Sequence, residues 1–399
     1  MTNNTHKWLV KSTLFLIFGI YSLSERALGP ISPIIRSTLN LSEAQIGLVN
    51  GATMAGSLFT VIPLGILVDR TAPKLTLVIM MISLGLAAIG VGLQKFYLGL
   101  VLALLFVGFV RSSVIPVINK VAALNYSKKE LGSTMGIINS GAPLAGLIGA
   151  LSFPAIAAFF NWNIVYLILG VLFISTAIIA WYMLPKSKNI LDNGKEKTKL
   201  TQYFQKKFII VITTYSLLSG CMYAARAFLT LFLVDVYHLS PIIAGVYFAI
   251  TEVVAILGRI IWGFISDKYL ENRSRLLAIN AWITMIAFFI LSVIHVDIPL
   301  ILLGVTMVVL GFGVQSSWGM QSVLIVDLTG SGRTGGAVAL QLFFLGIGGT
   351  LGPVFFGQIL QFTQSYRIAM GYLAVTAALS AIIYSFLSIR RFSKSLVDY

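Results

Sequence analysis

Ionisable side chains interrupt long apolar stretches of this sequence at six positions. They are Glu25, Arg26, Arg111, Arg226, Glu252 and Arg259. A charged group in the middle of an apolar membrane segment costs at least about 3 kcal/mol, so it normally faces a polar interior and has a function. Arginine offers a flat fork of donors that matches a carboxylate. These residue types therefore predict an anion-binding site.

Pairing among these charges accounts for part of the set. Glu252 and Arg259 are seven residues apart, roughly two helical turns on one face, and Arg259 precedes Asp267 by eight residues. Arg259 is therefore predicted to belong to a gate. Glu25 and Arg26 are adjacent, so their side chains diverge by about 100° and Glu25 turns to another partner.

The remaining balance is positive. Arg26, Arg111 and Arg226 stand against Glu25 and Glu252, which predicts that the three arginines bind an anionic, carboxylate-bearing ligand. Either glutamate can take up a proton on one side of a membrane and release it on the other, so Glu25 and Glu252 are the candidates for proton coupling.

Further polar and aromatic residues of the apolar stretches are candidates for the same cavity. They are Tyr21, Asn139, Tyr223, Tyr247, Gln315, Trp318 and Gln341. Gln315 opens a triplet, Gln315-Ser316-Ser317, that echoes Arg111-Ser112-Ser113. Aromatic residues in such segments more often pack or mark the membrane interface, so packing competes with ligand contact at these positions.

The composition places the chain in a membrane. It has 399 residues, 58% of them hydrophobic and 10% charged, with a mean hydropathy of +0.94. Apolar windows of about 20 residues, enough to cross a bilayer core, predict an all-α membrane protein with twelve transmembrane helices. We place these spans at 10–36, 45–67, 73–93, 97–122, 132–159, 162–184, 208–236, 241–265, 275–295, 298–326, 333–361 and 366–389.

An internal repeat divides the chain. Residues 41–70 recur at 239–268, with Gly47 matching Gly245 and Asp69 matching Asp267. Two pseudo-symmetric six-helix bundles, 1–184 and 208–399, are predicted, joined by a polar cytoplasmic linker at 185–207. Membrane proteins built from two such repeats are typically transporters with a site between the repeats.

The repeat ends in a charged motif in both halves. Its predicted gating residues are Gly65, Asp69, Arg70 and Lys74 in the first copy, and Arg259, Gly263, Asp267 and Lys268 in the second. An acid at a helix end can pair with a cation or with a helix N-terminus, and glycine allows close helix contact. The two copies resemble the loop motif of the major facilitator superfamily.

Glycine runs mark predicted spans 5 and 11. They are Gly132, Gly136, Gly141, Gly146 and Gly149, and Gly346, Gly348, Gly349, Gly352 and Gly357. Either helices of opposite halves slide on these runs, or the glycines serve plain tight packing. Where the superfamily's antiporter motif has a Gly-Pro pair in span 5, this chain has Gly141-Ala142-Pro143, which weakens an antiporter assignment.

Lysine and arginine predict the orientation. Nearly all the basic residues of the predicted loops lie on the side that carries both termini, and the opposite side carries only Arg36, Lys95 and Arg367. The positive-inside rule therefore places both termini in the cytoplasm of a multi-pass cell (inner) membrane protein. Because the basic residues are scattered over short loops, the pI of 9.9 does not indicate nucleic-acid binding.

Other chemistry finds no support in the sequence. Cys221 is the single cysteine, and His6, His238 and His295 are dispersed, so no metal site or cofactor is predicted. The sequence has no Ser/His/Asp arrangement and no phosphate-binding glycine loop after a strand. We therefore expect no enzyme.

A more specific resemblance covers the first half. The sequence resembles span 1 and the following loop of the anion:cation symporter group, which includes sugar-acid and organic-anion carriers, at Glu25-Arg26-Ala27, Pro33, Leu39-Asn40-Leu41-Ser42, Gln45 and Gly47. The similarity extends through spans 4 to 6 at Gly108, Pro116, Gly132, Gly136 and Trp162-Asn163. The resemblance implies that Arg26 binds the anion and Glu25 carries a proton. Many members have a glutamate five residues before the span-4 proline, where this chain has Arg111, and this difference argues against two-acid proton coupling.

The combined expectation is a monomeric secondary transporter in the lipid bilayer. It moves a small organic anion by alternating access of its two halves, with a co-transported proton or sodium ion. The alternatives are an efflux antiporter for drugs or metabolites and a transporter-like membrane sensor. A lipophilic cation would need a negative cavity, whereas the buried charges here sum to a positive one.

Overall fold

The computed structural model describes residues 3–185, 206–268, 272–294, 298–329 and 334–389. Within these ranges all regular structure is α-helical. The first eight helices are α1 Asn3–Glu25, α2 Leu28–Leu39, α3 Glu43–Arg70, α4 Pro73–Gly92, α5 Tyr97–Arg111, α6 Val114–Asn125, α7 Lys128–Phe159 and α8 Trp162–Met183. The remaining seven are α9 Lys206–Tyr237, α10 Pro241–Lys268, α11 Arg273–Val293, α12 Leu300–Gly313, α13 Trp318–Thr329, α14 Thr334–Thr363 and α15 Tyr366–Ile389.

The helices account for the twelve predicted spans. Ten described segments are long and apolar enough to cross a membrane. The 28-residue α3 and the pair of shorter apolar helices α12 and α13 supply the other two. The all-α architecture predicted from the sequence is therefore confirmed.

Three predicted spans are interrupted, which the sequence interpretation missed. Span 1 is interrupted at residues 26–27, span 4 at residues 112–113 and span 10 at residues 314–317. We call these the span-1, span-4 and span-10 breaks. Each contains or adjoins a predicted site residue: Arg26, Arg111 and Gln315.

Proline explains the two breaks of the first half. Pro30 lacks the N–H that would bond the carbonyl of Arg26, and Pro116 lacks the one that would bond the carbonyl of Ser112. Each proline lies in the first turn of the helix that follows, where its missing donor is tolerated. Pro143 and Pro154, however, lie inside the continuous α7, so proline alone does not interrupt a helix here.

The described helices group into two compact units. The first unit comprises residues up to Leu41 and those from Ala52 to the end of α8. The second comprises Ser42–Gly51 and the helices α9 to α15. The first residues of α3 therefore group with the second unit.

The repeat seen in the sequence extends to the packing within each unit. In the first unit α1 packs against α7 and α4 against α8. In the second unit the corresponding helices pair, α9 with α14 and α11 with α15. The repeated helices α3 and α10 both have 28 residues and begin and end at the same offset in sequence.

Candidate functional site

A buried ion pair is the centre of the first unit's polar cluster. Arg111 ends α5, and its Nη2 lies 3.0 Å from Glu25 Oε2 at the end of α1, with the two side chains only 7% and 10% exposed. The same Nη2 lies 3.1 Å from the Tyr21 hydroxyl, and the guanidinium carbon lies 5.0 Å from the centre of the Tyr21 ring. Glu25 therefore turns to another helix, as expected.

Arg26 lies in the span-1 break, next to this pair. It is buried, and its Nη1 donates to the Ser22 carbonyl at 3.3 Å, one turn back along α1. The break is tightened by backbone bonds from the Arg26 and Ala27 N–H groups to Leu23 and Ser24. We call Tyr21, Glu25, Arg26 and Arg111 the first cluster.

Hydroxyl groups of α3 support the helix that carries Arg111. Ser57 Oγ donates to the Gly108 carbonyl at 3.0 Å, and Thr60 Oγ1 to the Phe109 carbonyl at 2.9 Å. Both carbonyls belong to the last turn of α5, whose intrahelical partners are missing because of the span-4 break. Neutral side chains therefore satisfy this broken end.

Arg226 is the centre of the second unit's cluster. It lies in the unbroken α9, and its Nε and Nη2 donate to Gln315 Oε1 at 3.3 and 3.2 Å. Glu252 Oε1 lies 3.9 Å from the same Nε, and the guanidinium carbon lies 5.6 Å from the centre of the Tyr223 ring. All four side chains are buried.

Gln315 belongs to the span-10 break, which neighbouring helices satisfy. Trp262 Nε1 donates to the Phe312 carbonyl at 3.2 Å and Asn280 Nδ2 to the Gly313 carbonyl at 3.0 Å. Arg259 donates from Nε and Nη2 to the Gln315 carbonyl at 3.4 and 3.3 Å. We call Tyr223, Arg226, Glu252, Arg259 and Gln315 the second cluster.

Comparison with known proteins decides what kind of chain holds these clusters. The family model of the Major Facilitator Superfamily matches residues 14–353. The chain belongs to the Major Facilitator Superfamily. This confirms the resemblance of the repeated loop motif, and with it a multi-pass membrane transporter of a small molecule rather than an enzyme.

Relatives of this superfamily member include carriers of sugar acids. The hexuronate transporter of Bacillus subtilis is 25% identical over 92% of this chain and 92% of its own length. The probable L-galactonate transporter of Escherichia coli is 24% identical over 94% of this chain and 87% of its own. In fold, the chain resembles a crystal structure of a bacterial homologue of the human lysosomal transporter Spinster, with a TM-score of 0.82, 19% identity and coverage of 96% and 97%.

The structure brings most of the predicted site residues of this transporter together within their own units. The exceptions lie elsewhere. Asn139 is exposed, the Tyr247 hydroxyl donates to the Leu300 carbonyl at 3.0 Å, and the buried Gln341 donates to Ser322 Oγ at 3.1 Å. The side chain of Trp318 lies outside the described residues.

The predicted gate can be followed only in part. The side chains of Asp69, Arg70, Asp267 and Lys268, and the surroundings of Gly65, lie outside the described residues. Lys74 donates to the Leu184 carbonyl at 2.6 Å and lies 5.4 Å from the Trp181 ring centre. A side chain at Gly263 would meet no atom within 4 Å, so close contact does not explain this glycine.

The glycine runs of α7 and α14 show tight packing inside each unit. Gly141 of α7 lies against Phe15 and Gly19 of α1, and Gly348 and Gly352 of α14 lie against Ser216 and Gly220 of α9. A side chain at Gly132 or Gly136 would meet nothing within 4 Å. The packing alternative therefore applies to Gly141, Gly348 and Gly352.

Sequence reasoning missed the residues that support the breaks. They are Ser57, Thr60, Thr251, Trp262 and Asn280. Two signals were available for the first unit: a proline four residues after Arg26 and after Ser112, and two hydroxyl residues one turn apart on span 2. The second unit offers no proline in residues 300–329, so its break had no comparable signal.

Proposed function

We propose that this transporter moves a small organic anion, a carboxylate of the sugar-acid kind, across the inner membrane by alternating access. The observation that carries the proposal is the charge of each cluster among the described residues. The first has the buried Arg26 and Arg111 with Glu25, and the second has the buried Arg226 and the half-buried Arg259 with Glu252. An excess of guanidinium over carboxylate in a low-dielectric interior favours an anion as ligand.

The geometry of the first cluster supplies a way to couple this anion to a proton. Arg111 is held by Glu25 at 3.0 Å, so a substrate carboxylate that binds Arg111 competes with the Glu25 carboxylate for the same N–H groups. A buried glutamate that loses its cation is more stable in the protonated form. Anion binding and proton uptake at Glu25 would then occur together, as symport requires.

The second cluster supports the same proposal with a different partner. Arg226 is oriented by the neutral Gln315 carboxamide, and Glu252 lies at the longer distance of 3.9 Å. A substrate carboxylate at Arg226 would therefore meet a neutral group at hydrogen-bond distance, whereas at Arg111 it would meet the Glu25 carboxylate. Binding of a carboxylate at Arg226 therefore costs less rearrangement than binding at Arg111.

Orientation and assembly are part of the proposal. The distribution of Lys and Arg over the loops supports cytoplasmic termini. We propose that the transporter acts as a monomer. The co-transported ion is proposed to be a proton, with sodium as the ion that the experiment must exclude.

Uptake by purified protein in proteoliposomes tests the proposal. Labelled D-glucuronate and L-galactonate are supplied under an imposed pH gradient, an imposed sodium gradient, or neither. We expect uptake of at least one of them, driven by the pH gradient and lost in Arg26→Ala. Arg367→Gln, which removes an exposed arginine outside both clusters, serves as the control and should transport normally.

Each alternative has its own outcome in the same assay. Transport of a lipophilic cation such as tetraphenylphosphonium, with no anion uptake, would replace the proposal by the efflux function. Anion binding detected by thermal shift without any flux would indicate a sensor. Normal uptake by Arg26→Ala would contradict the role of Arg26 while leaving the substrate class standing.

A further inference from the structure

The span-10 break depends on the helix that packs beside it. Non-helical backbone at membrane depth has to find partners inside the protein, because lipid offers none. Helix α10 comes close enough to supply them because of Gly258: a Cβ there would lie 2.8 Å from Ser316 Cβ. The next residue, Arg259, reaches the Gln315 carbonyl with two N–H groups.

Gln315 is held at both its main chain and its side chain. Its Oε1 accepts two bonds from Arg226, and its Nε2 donates to Thr251 Oγ1 at 3.1 Å. The Thr251 hydroxyl donates its own proton to the Phe248 carbonyl at 2.7 Å, so towards Gln315 it can only accept. Since arginine only donates, the carboxamide has one satisfactory orientation, with its oxygen on Arg226.

Capping of the broken helix does not by itself require Arg259. The last turn of α12 is already satisfied by Trp262 and Asn280. In the first unit the equivalent task at α5 is performed by the neutral hydroxyls of Ser57 and Thr60. Arg259 binds the carbonyl of Gln315, the break residue whose side chain accepts from Arg226.

We propose that Arg259 is a positioning residue for anion binding: it holds the main chain of Gln315 so that the carboxamide keeps Arg226 in its binding orientation. This inference rests on the proposed function, in which Arg226 binds the substrate carboxylate. It differs from the gating role that the sequence suggests for Arg259, because it acts through Gln315 and changes affinity.

The test is the kinetics of uptake by Arg259→Gln, Arg259→Lys and Gln315→Ala in proteoliposomes. The substrate is D-glucuronate or L-galactonate, whichever the unaltered protein transports faster. A slight displacement of a binding group can lower substrate affinity by a large factor. Arg259→Gln should therefore raise KM at least about tenfold, with a much smaller change in maximal rate. Lysine can still donate one hydrogen bond to the Gln315 carbonyl. The KM of Arg259→Lys should therefore lie between those of the unaltered protein and Arg259→Gln.

A double substitution separates positioning from plain stabilisation. Once the Gln315 carboxamide is gone, Arg259 has nothing to position, so Arg259→Gln combined with Gln315→Ala should raise KM no further than Gln315→Ala alone. The matched control is Trp262→Phe, which removes a different cap of the same break. It should lower the unfolding temperature and leave KM near that of the unaltered protein.

The outcomes distinguish this inference from the function on which it rests. If the unaltered protein transports neither anion, the proposed function fails and the positioning role falls with it. If uptake depends on Arg226 while Arg259→Gln keeps a normal KM, only the positioning role is overturned. If the KM increases of Arg259→Gln and Gln315→Ala multiply in the double variant, Arg259 merely stabilises the break. A raised KM in Trp262→Phe would lead to the same conclusion. If Arg259→Gln does not fold, Arg259→Lys carries the same test.

Discussion

The two units solve one structural problem with different chemistry. In each unit a broken helix, α5 in the first and α12 in the second, ends beside the repeated helix, α3 or α10. The first unit satisfies the broken end with the hydroxyls of Ser57 and Thr60, and the second with the indole of Trp262 and the carboxamide of Asn280. The repeat has preserved the backbone arrangement, whereas the side chains that complete it have diverged.

The arginines of the two clusters differ in the same way. Arg111 is bound directly by the Glu25 carboxylate at 3.0 Å, whereas Arg226 is bound by the Gln315 carboxamide, with Glu252 at 3.9 Å. The first cluster is therefore held by an ion pair and the second mainly by a neutral acceptor. Under the proposed function, this difference would place proton coupling in the first unit and carboxylate binding beside a neutral acceptor in the second.

Removal of each arginine tests this difference most strongly. Arg111→Gln leaves the buried Glu25 carboxylate without its direct partner, which should lower the free energy of unfolding by about 3–5 kcal/mol. Arg226→Gln should cost less, because its closest acceptor is the neutral Gln315 carboxamide and Glu252 lies farther away, at 3.9 Å. Thermal unfolding of the purified proteins measures both, and Glu25→Gln with Arg111→Gln should recover most of the loss. Equal losses in the two units would contradict the comparison.

Alanine substitution of glycines tests how closely the repeated helices approach the breaks. Gly56 of α3 lies against the backbone of Leu105 and Gly108, which cannot yield, so Gly56→Ala should destabilise the protein by about 1–3 kcal/mol. Gly258→Ala meets the Ser316 side chain and should cost less. Gly263→Ala, on the same helix as Gly258 with no atom within 4 Å, is the control and should have almost no effect on the melting temperature.

Removing one cap from each broken helix compares the hydroxyl cap of the first unit with the indole cap of the second. Thr60→Val removes a hydroxyl at nearly constant shape and should cost about 1 kcal/mol. Trp262→Phe should cost less through its lost hydrogen bond, because the Phe312 carbonyl keeps Asn280 and Ser316 as donors. Trp262→Leu lacks the same N–H but also removes the ring, so it shows how much of the loss comes from ring packing. If the remaining loss at Trp262 exceeds the loss in Thr60→Val, the expected order is wrong.

Ion pairs outside the clusters provide the weakest contrast. Lys7 pairs with Glu130 in the first unit and Arg273 with Asp327 in the second, and both acids are more than 40% exposed. Lys7→Gln and Arg273→Gln should each lower the free energy of unfolding only slightly, because water screens exposed ion pairs. The loss should shrink as salt is raised from low to physiological concentration. A loss that persists in high salt would show that these pairs are not surface pairs.

Much of the fold could be predicted from the sequence because the bilayer determines the length and hydropathy of each spanning segment. Segment length and hydropathy reflect bilayer thickness, so the twelve spans were readable without any knowledge of packing. Of the predicted site, the charged residues were readable for the same reason, since Arg26, Arg111 and Arg226 stand out in apolar surroundings. Asn139, Tyr247 and Gln341 carry no such contrast, and the structure places them outside both clusters.

The sequence by itself determined that this chain spans a membrane in two related halves and buries more arginine than glutamate, because hydropathy, spacing and residue type are local properties. Only the tertiary structure decided where the spans break and which charges meet. A helix break precedes Pro30 and Pro116 but not Pro143, since the outcome depends on the partners that the freed carbonyls find. Arg111 pairs with Glu25 and Arg226 bonds to Gln315, and the members of each pair are too far apart in sequence for a local pattern to predict the contact.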